Sequence, residues 1–297
     1  MKCRISAAIA MLFLISLSVV SCKKDNNSSQ APVSDSEAQT ISQEDAAAES
    51  DYDDITEMGL ATGADMESGA IDNGRIATDG NTARIRLDLF VNLSLKLGTG
   101  VVITAEPNDA TFPKTVTINY GDGVLCKDGK TRKGKVVLYF SARPIQSGAT
   151  LKITLQDYYV NRVHVEGVKT ITNLSANGSV KYSVKIEGGK VSRPNGRGFT
   201  YVGTKTVTQI EGGSTLICAD DVYSIDASTT IKYANGVTVT KTTESPLIKA
   251  VSCNYIVKGV LKITINDRVL HLDFGTGGSC DDKALLTWAN GSVEISL

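Results

Sequence analysis

The feature that most constrains this chain is the alternation of apolar and polar residues that begins after Arg84, punctuated by turn dipeptides. A period of two sends successive side chains to opposite faces of a strand, so such segments bury one face and wet the other. No stretch beyond Gly80 sustains a helical period. Asn235-Gly236, Asn290-Gly291 and Gly188-Gly189 read as type I′ hairpin turns, whose two central residues need positive φ. Pairing arithmetic fixes two registers. A turn at Asn290-Gly291 sets Trp288 opposite Val293, Leu286 opposite Ile295 and Ala284 opposite Leu297, with Thr287 and Glu294 on the other face. A turn at Asn266-Asp267 sets Ile263 against Leu270 and Leu261 against Leu272, with Lys262 and His271 opposite. A one-residue slip destroys either pattern. The 27 Gly and the abundance of Thr, Val and Ile suit pleated strands and tight turns. The expected fold is therefore all-β: at least a dozen short antiparallel strands in hairpins or a meander, forming sandwich-like or extended modules over residues 80–200 and 201–297.

The N-terminus is different. Lys2 and Arg4 precede an apolar run from Ile5 to Val20, shorter than the roughly 20 residues a membrane-spanning helix needs. A basic start, an apolar run and small residues before a cut site make a secretory signal. Cys22 directly follows Val19-Val20-Ser21. That spacing resembles a bacterial lipobox, in which the cysteine is acylated and becomes the new N-terminus. Residues 1–22 are thus expected to be a lipoprotein signal, with the membrane as a partner through acyl chains that hold at about 0.8 kcal/mol per buried CH2.

The formal charge of -1 hides a separation. Residues 23–79 hold three basic and fourteen acidic residues, whereas the chain from Gly80 onward has eight more basic than acidic ones. Residues 23–50 have hardly any large apolar side chain, so they cannot offset ordering entropy and are expected to form a disordered tether. Ile55, Met58 and Leu60 predict one short helix over 51–66. Two readings of this segment stand: a spacer that lifts the body off the membrane, and an acidic arm that folds back onto the basic body.

One internal repeat is visible. Tyr120-Gly121-Asp122-Gly123-Val124-Leu125-Cys126-Lys127-Asp128 aligns with Phe274-Gly275-Thr276-Gly277-Gly278-Ser279-Cys280-Asp281-Asp282 in its aromatic, two glycines, cysteine and final aspartate. The Asn266-Asp267 register pairs positions whose numbers sum to 533, and so do 253 and 280. Extending it sets Cys253 opposite Cys280, which predicts a disulfide in an exported protein. Cys126 and Cys218 remain, and nothing in their spacing decides whether they pair. The lipobox with Lys23-Lys24-Asp25, the glycine and cysteine pattern of 117–134, Asp157–Gly167 and the ending Cys253–Ala284 together resemble uncharacterised outer-membrane or cell-surface lipoproteins of the Bacteroidota. The resemblance covers roughly residues 100–297 and implies an all-β lipoprotein of the outer membrane, on its periplasmic or its outer face. It brings no known activity and no catalytic residues.

Chemistry is sparse. Gly129-Lys130-Thr131 imitates the end of a phosphate-binding loop, but Val124 stands where its first glycine is needed and a strand follows instead of a helix. Asp273-Phe274-Gly275 lacks the companion motifs of a kinase. The only two histidines, His164 and His271, occupy polar sides of alternating strands, and no closely spaced Cys/His pair offers a zinc site. Asp122, Asp128, Asp281 and Asp282 sit in the Gly-rich loops, where they offer a Ca2+ or ligand site. The basic run Lys127, Lys130, Arg132, Lys133 and Lys135 offers a patch for an anionic glycan or another envelope protein, or else a set of solvated edge lysines that discourage aggregation. No nucleic-acid partner and no catalytic residue are inferred. The expectation is a membrane-anchored binding or structural module. Its rivals are a glycan-directed surface hydrolase using those four carboxylates and a periplasmic carrier of an apolar ligand.

Overall fold

The structure, a computed structural model, describes residues 54–56, 58–63, 71–72, 75–76, 96–176, 179–213, 220–253, 255–289 and 291–296. A short ribbon pairs β1 (Ile71–Asp72) with β2 (Arg75–Ile76). Among the described residues the remaining strands form one sheet of thirteen antiparallel strands whose spatial order is the chain order. These are β3 (Val102–Glu106), β4 (Lys114–Leu125), β5 (Thr131–Phe140), β6 (Thr150–Val160), β7 (Val163–Asn173), β8 (Lys181–Ser192) and β9 (Gly198–Glu211). Then follow β10 (Val222–Tyr233), β11 (Thr238–Ala250), β12 (Lys258–Ile265), β13 (Arg268–Asp273), β14 (Lys283–Trp288) and β15 (Gly291–Ser296). Among the described residues the fold is all-β apart from one helix. The expected division at 200/201 falls inside β9, which pairs with β8 and β10 along most of its length, so strand pairing does not break there.

Alternation carries the fold. One rung of directly opposed residues crosses every strand: Ala105, Val116, Leu138, Ile153, Lys169 and Ile186 from β3 to β8. It continues through Gly203, Thr229, Lys241, Ile263, Leu270 and Trp288 to Gly291 of β15. Its members face the core, while neighbours such as Thr204, Ser228 and Thr242 lie on the exposed side. Sheets wider than about ten strands tend to curl, and here inward residues of β3 through β14 join a single core.

Bulges interrupt the ladder in adjacent strands from β4 to β8, at Gly121, Gly134, Asp157, Gly167 and Gly188. Each inserts residues that bend the strand and sharpen its twist. Gly134 shows why the seam is written in glycine. Its φ is +82°, and a Cβ there would lie 2.0 Å from the Asp157 carbonyl oxygen. The Gly188-Gly189 pair belongs to this seam: it lies within β8 with strands paired on both sides, and is not the hairpin turn expected.

The other turns divide. Asn266-Asp267 closes β12 to β13 with Ile265 opposite Arg268, the register expected, and Asn266 takes a positive φ of +51°. At Asn235-Gly236 the loop is one residue longer: Tyr233 donates to the Val237 carbonyl and Gly236 to that of Tyr233. In the last hairpin Trp288 pairs with Gly291, two residues away from the predicted register. There the Trp288 ring packs over Gly291, where a Cβ would stand 2.9 Å from it. A slip of two preserves parity, so Leu286 still faces inward, now opposite Val293, and Ala284 opposes Ile295. Leu297 lies outside the described residues.

The helix, α1 (residues 54–56 and 58–63), comes from the segment read above as tether. Ile55, Met58 and Ala61 recur every three residues and are at most 1% exposed. Gly59 allows a close approach, because a Cβ there would meet Ile153 and Leu151 of β6 within 2.9 Å. Burying Ile55 and Met58 contributes about 1.5–3 kcal/mol each. Residues 23–53 lie outside the described residues, but this part of the acidic segment is core.

Candidate functional site

The densest chemistry lies where α1 meets the first cysteine loop. Cys126 closes a tight turn, its N–H donating to the Lys130 carbonyl and its carbonyl accepting from Gly129. Asp128, at the tip, accepts from the Lys130 N–H. Four residues on, at the start of β5, Arg132 occupies an inward position of the alternation and is completely buried. Its guanidinium grips Asp128 through two parallel bonds of 2.9 and 2.6 Å, and donates to Asp54 of α1 at 2.7 Å. Asp54 also pairs with Lys96 and stands 3.7 Å from the Lys130 ammonium. Tyr120 donates to the Lys96 carbonyl and tilts against Tyr158.

The electrostatics are those of a closed network. Burial opposes ionisation of Asp54, but the charges of Lys96 and Arg132 outweigh it and hold the carboxyl below its ordinary value. Asp128 behaves likewise: burial is overcome by its bonds to Arg132 and the Lys130 N–H. Burial and the facing carboxylates move Arg132 in opposite senses, and the carboxylates win, keeping it charged. Burial pushes the Tyr120 hydroxyl and the Cys126 thiol up, so both stay protonated at neutral pH. A protonated buried thiol is a poor nucleophile. The cluster holds two carboxylates against three cations. Its chemistry is that of a latch, tying α1, the Cys126 turn and β5 together.

The predicted residues separate accordingly. Arg132 is no part of a surface patch, because its inward parity places it in the latch. Lys130 reaches the latch from the rim. Lys127, Lys133 and Lys135 are exposed, Lys133 over the Tyr159 ring at 5.5 Å. Of the four carboxylates only Asp128 enters the cluster. Asp122 is exposed on the bulged end of β4, and Asp281 and Asp282 are exposed between β13 and β14, where Asp281 caps the Lys283 N–H. Among the described residues no three His, Cys, Asp or Glu side chains group as metal ligands. His271 sits 2.7 Å from Glu244, and His164 stacks on Tyr159 with centroids 4.4 Å apart. Tyr158 is buried and Tyr159 half-exposed, on opposite faces as their adjacency predicts.

Cys253 and Cys280 stand at disulfide distance, with Cα atoms 5.6 Å apart. The β12–β13 register that predicted them is observed, and Phe274 and Gly259 extend it. Cys126 is a buried free thiol. Cys22 and Cys218 lie outside the described residues. Sequence reading missed Lys96 and Asp54, and also Lys169, Lys205 and Lys241, which share inward parity with Ile171, Val207 and Val239. A lysine in phase with the apolar face was the available signal. No family model matches the chain, and neither a curated protein nor a solved structure matches it.

Proposed function

We propose that this chain is an exported lipoprotein, anchored to the outer membrane through acyl chains on Cys22, whose β body serves the envelope as a binding or structural module without catalysis. The observation that carries this reading is the signal sequence ending in Val19-Val20-Ser21-Cys22, followed at once by a polar segment. The Cys253–Cys280 pair supports it, since structural disulfides persist in oxidising compartments. The non-catalytic part rests on the latch, where Asp54, Asp128 and Arg132 are spent on mutual pairing. A hydrolase would need two or more of Asp122, Asp128, Asp281 and Asp282 around one cleft, and Asp128 is committed to Arg132. The carrier reading finds little support in the apolar pocket between α1 and Phe140, Leu151 and Ile171, which offers about 40 Å3. Ligand pockets are typically about 300 Å3 or more. Growth with an alkyne fatty acid tests the anchor: the wild-type chain should carry label in the envelope fraction and Cys22→Ser should not. Equal labelling of both, or an unlabelled wild type, would overturn it. Protease treatment of intact cells then assigns the membrane face.

A further inference from the structure

The meander gives the two ends of the sheet opposite charge. Because each strand neighbours the next in the chain, alternate loops collect at the same end. The latch end gathers the loops 126–130, 161–162, 193–197, 234–237 and 266–267. Among the described residues these carry Lys127, Lys130, Arg162, Arg193 and Arg197 against Asp128 and Asp267. The loops of the opposite end carry Asp109, Asp220, Asp221, Asp281 and Asp282 against Arg143. All five cations of the latch end fall in three successive loops, and the acid among them, Asp128, is held by Arg132. Lys127 and Arg162 are exposed, and Arg193 and Arg197 half-exposed. The first two loops are tied together: the Asn161 N–H donates to the Thr131 carbonyl, and the Asn161 side chain accepts from the Thr131 N–H. Strands about 4.8 Å apart put successive loops of the row roughly 10 Å from one another. Leu125, at the edge of the row, is 69% exposed. The chain also enters the fold here, since Asp54, at the start of α1, pairs with Arg132 and stands 3.7 Å from the Lys130 ammonium. Residues 23–53 therefore join the body at its cationic end.

We propose that this row of loops is the surface by which the body docks on a membrane. Lys127, Lys130, Arg162, Arg193 and Arg197 bind the phosphates of anionic phospholipid headgroups, and Leu125 enters the interface beside them. The inference rests on the anchor reading above for the nearness of the membrane, though not for the charge of the row. An anionic surface attracts each Lys or Arg that comes within about a Debye length, roughly 8 Å in physiological salt. The same field repels the aspartates of the far end, so the body stands with its latch end down and its acidic end away. The tether joins at the end to be held, and a linked site binds at raised effective concentration. An apolar side chain among cations suits the boundary between headgroups and acyl chains. Three loops roughly 10 Å apart, with an exposed leucine and the anchor on the same side, fit an extended lipid surface better than a free acidic glycan.

Vesicle co-sedimentation of the full chain carrying Cys22→Ser tests this. That substitution removes the acylated residue, so the result is independent of the fatty-acid labelling, and either reading can fail alone. Vesicles of phosphatidylglycerol and phosphatidylcholine in equal parts are compared with phosphatidylcholine alone. The apolar run 5–20 serves both alike, so the difference between them is the readout. The anionic vesicles should bind more tightly, and the difference should vanish at about 1 M salt, where screening acts within about 3 Å. Each cation at an anionic surface is worth about fivefold in partition, so joint replacement of Lys127, Arg162 and Arg197 by Gln should weaken binding to anionic vesicles by about a hundredfold. The control replaces Lys152, Lys185 and Lys258, exposed residues each at least seven positions from the latch end of its strand. It removes the same charge roughly 20 Å or more from the row and should leave binding nearly unchanged. Circular dichroism checks both variants, and if the first loses its fold, Arg162→Gln alone should still show about a fivefold loss. Equal binding to the two vesicle types, equal losses in the two triple variants, or capture of a soluble acidic polysaccharide while vesicles are ignored would overturn the proposal.

Discussion

Asp54→Asn perturbs the latch with the least change of shape. The carboxylate is almost fully buried, accepts from Arg132 at 2.7 Å and from Lys96, and faces Lys130 at 3.7 Å. An asparagine retains one acceptor oxygen but turns an amide donor toward a cation and removes the negative charge. Taking one partner from a buried ion pair costs about 3–5 kcal/mol, because the other charge is left uncompensated. Arg132 keeps its two-bond grip on Asp128, so the lower end, about 3 kcal/mol, is expected. Urea unfolding followed by the single tryptophan, Trp288, and by circular dichroism measures the loss. A cycle with Lys96→Met then isolates the pair, with an expected coupling of at least about 1 kcal/mol. If α1 also detaches in the variant, the denaturant slope falls, since less surface remains to be exposed. A loss below about 1 kcal/mol, as for an ordinary surface pair, would refute the latch.

Acid should act through the same groups. Asp54 and Asp128 are held below the ordinary 3.8 in the folded chain, so they add stability above that value and lose it as pH falls through their folded pKa. Stability of the wild type should therefore drop below about pH 4 more steeply than that of Asp54→Asn; parallel profiles would contradict this. Replacing Cys253 and Cys280 by serine opens a loop of 27 residues' separation and should cost about 3.5 kcal/mol, read as a lower urea midpoint. Free thiols at both positions in the oxidised wild type would remove the basis of that figure. Gly134→Ala puts a Cβ against the Asp157 carbonyl at a positive φ and should destabilise more than Gly148→Ala, where the space is open. Equal effects on the midpoint would argue against the bulge seam. Met58→Ala should lose about 2–5 kcal/mol, as measured by the same denaturation, and a negligible loss would place α1 outside the core.

The parts legible in the sequence were those governed by period two. Asn266-Asp267, the Leu261–Leu272 face and the Cys253–Cys280 pair all follow from one register, because parity and turn chemistry agree there. The last hairpin kept its faces while its pairing shifted by two residues and its turn by one, since parity constrains the face and leaves the register open. Gly188-Gly189 misled because a bulge and a hairpin both ask for positive φ, and only the neighbouring strands tell them apart. Arg132 and Lys169 were hidden for another reason. A charged residue reads by its type as surface, and its partner, Asp54 or Thr56, lies 78 or 113 residues away. The phase of the cation is a local signal of burial, but the identity of its distant partner leaves no local pattern.

The central claim is that part of the acidic segment is built into the fold. Native-state hydrogen exchange by mass spectrometry measures this directly, because amides of a docked helix exchange only when the core opens. The peptide covering residues 54–63 should be protected to the same degree as peptides from β5 and β6, and should lose that protection with them in urea. Exchange of that peptide within seconds, while β5 and β6 stay protected, would contradict the account.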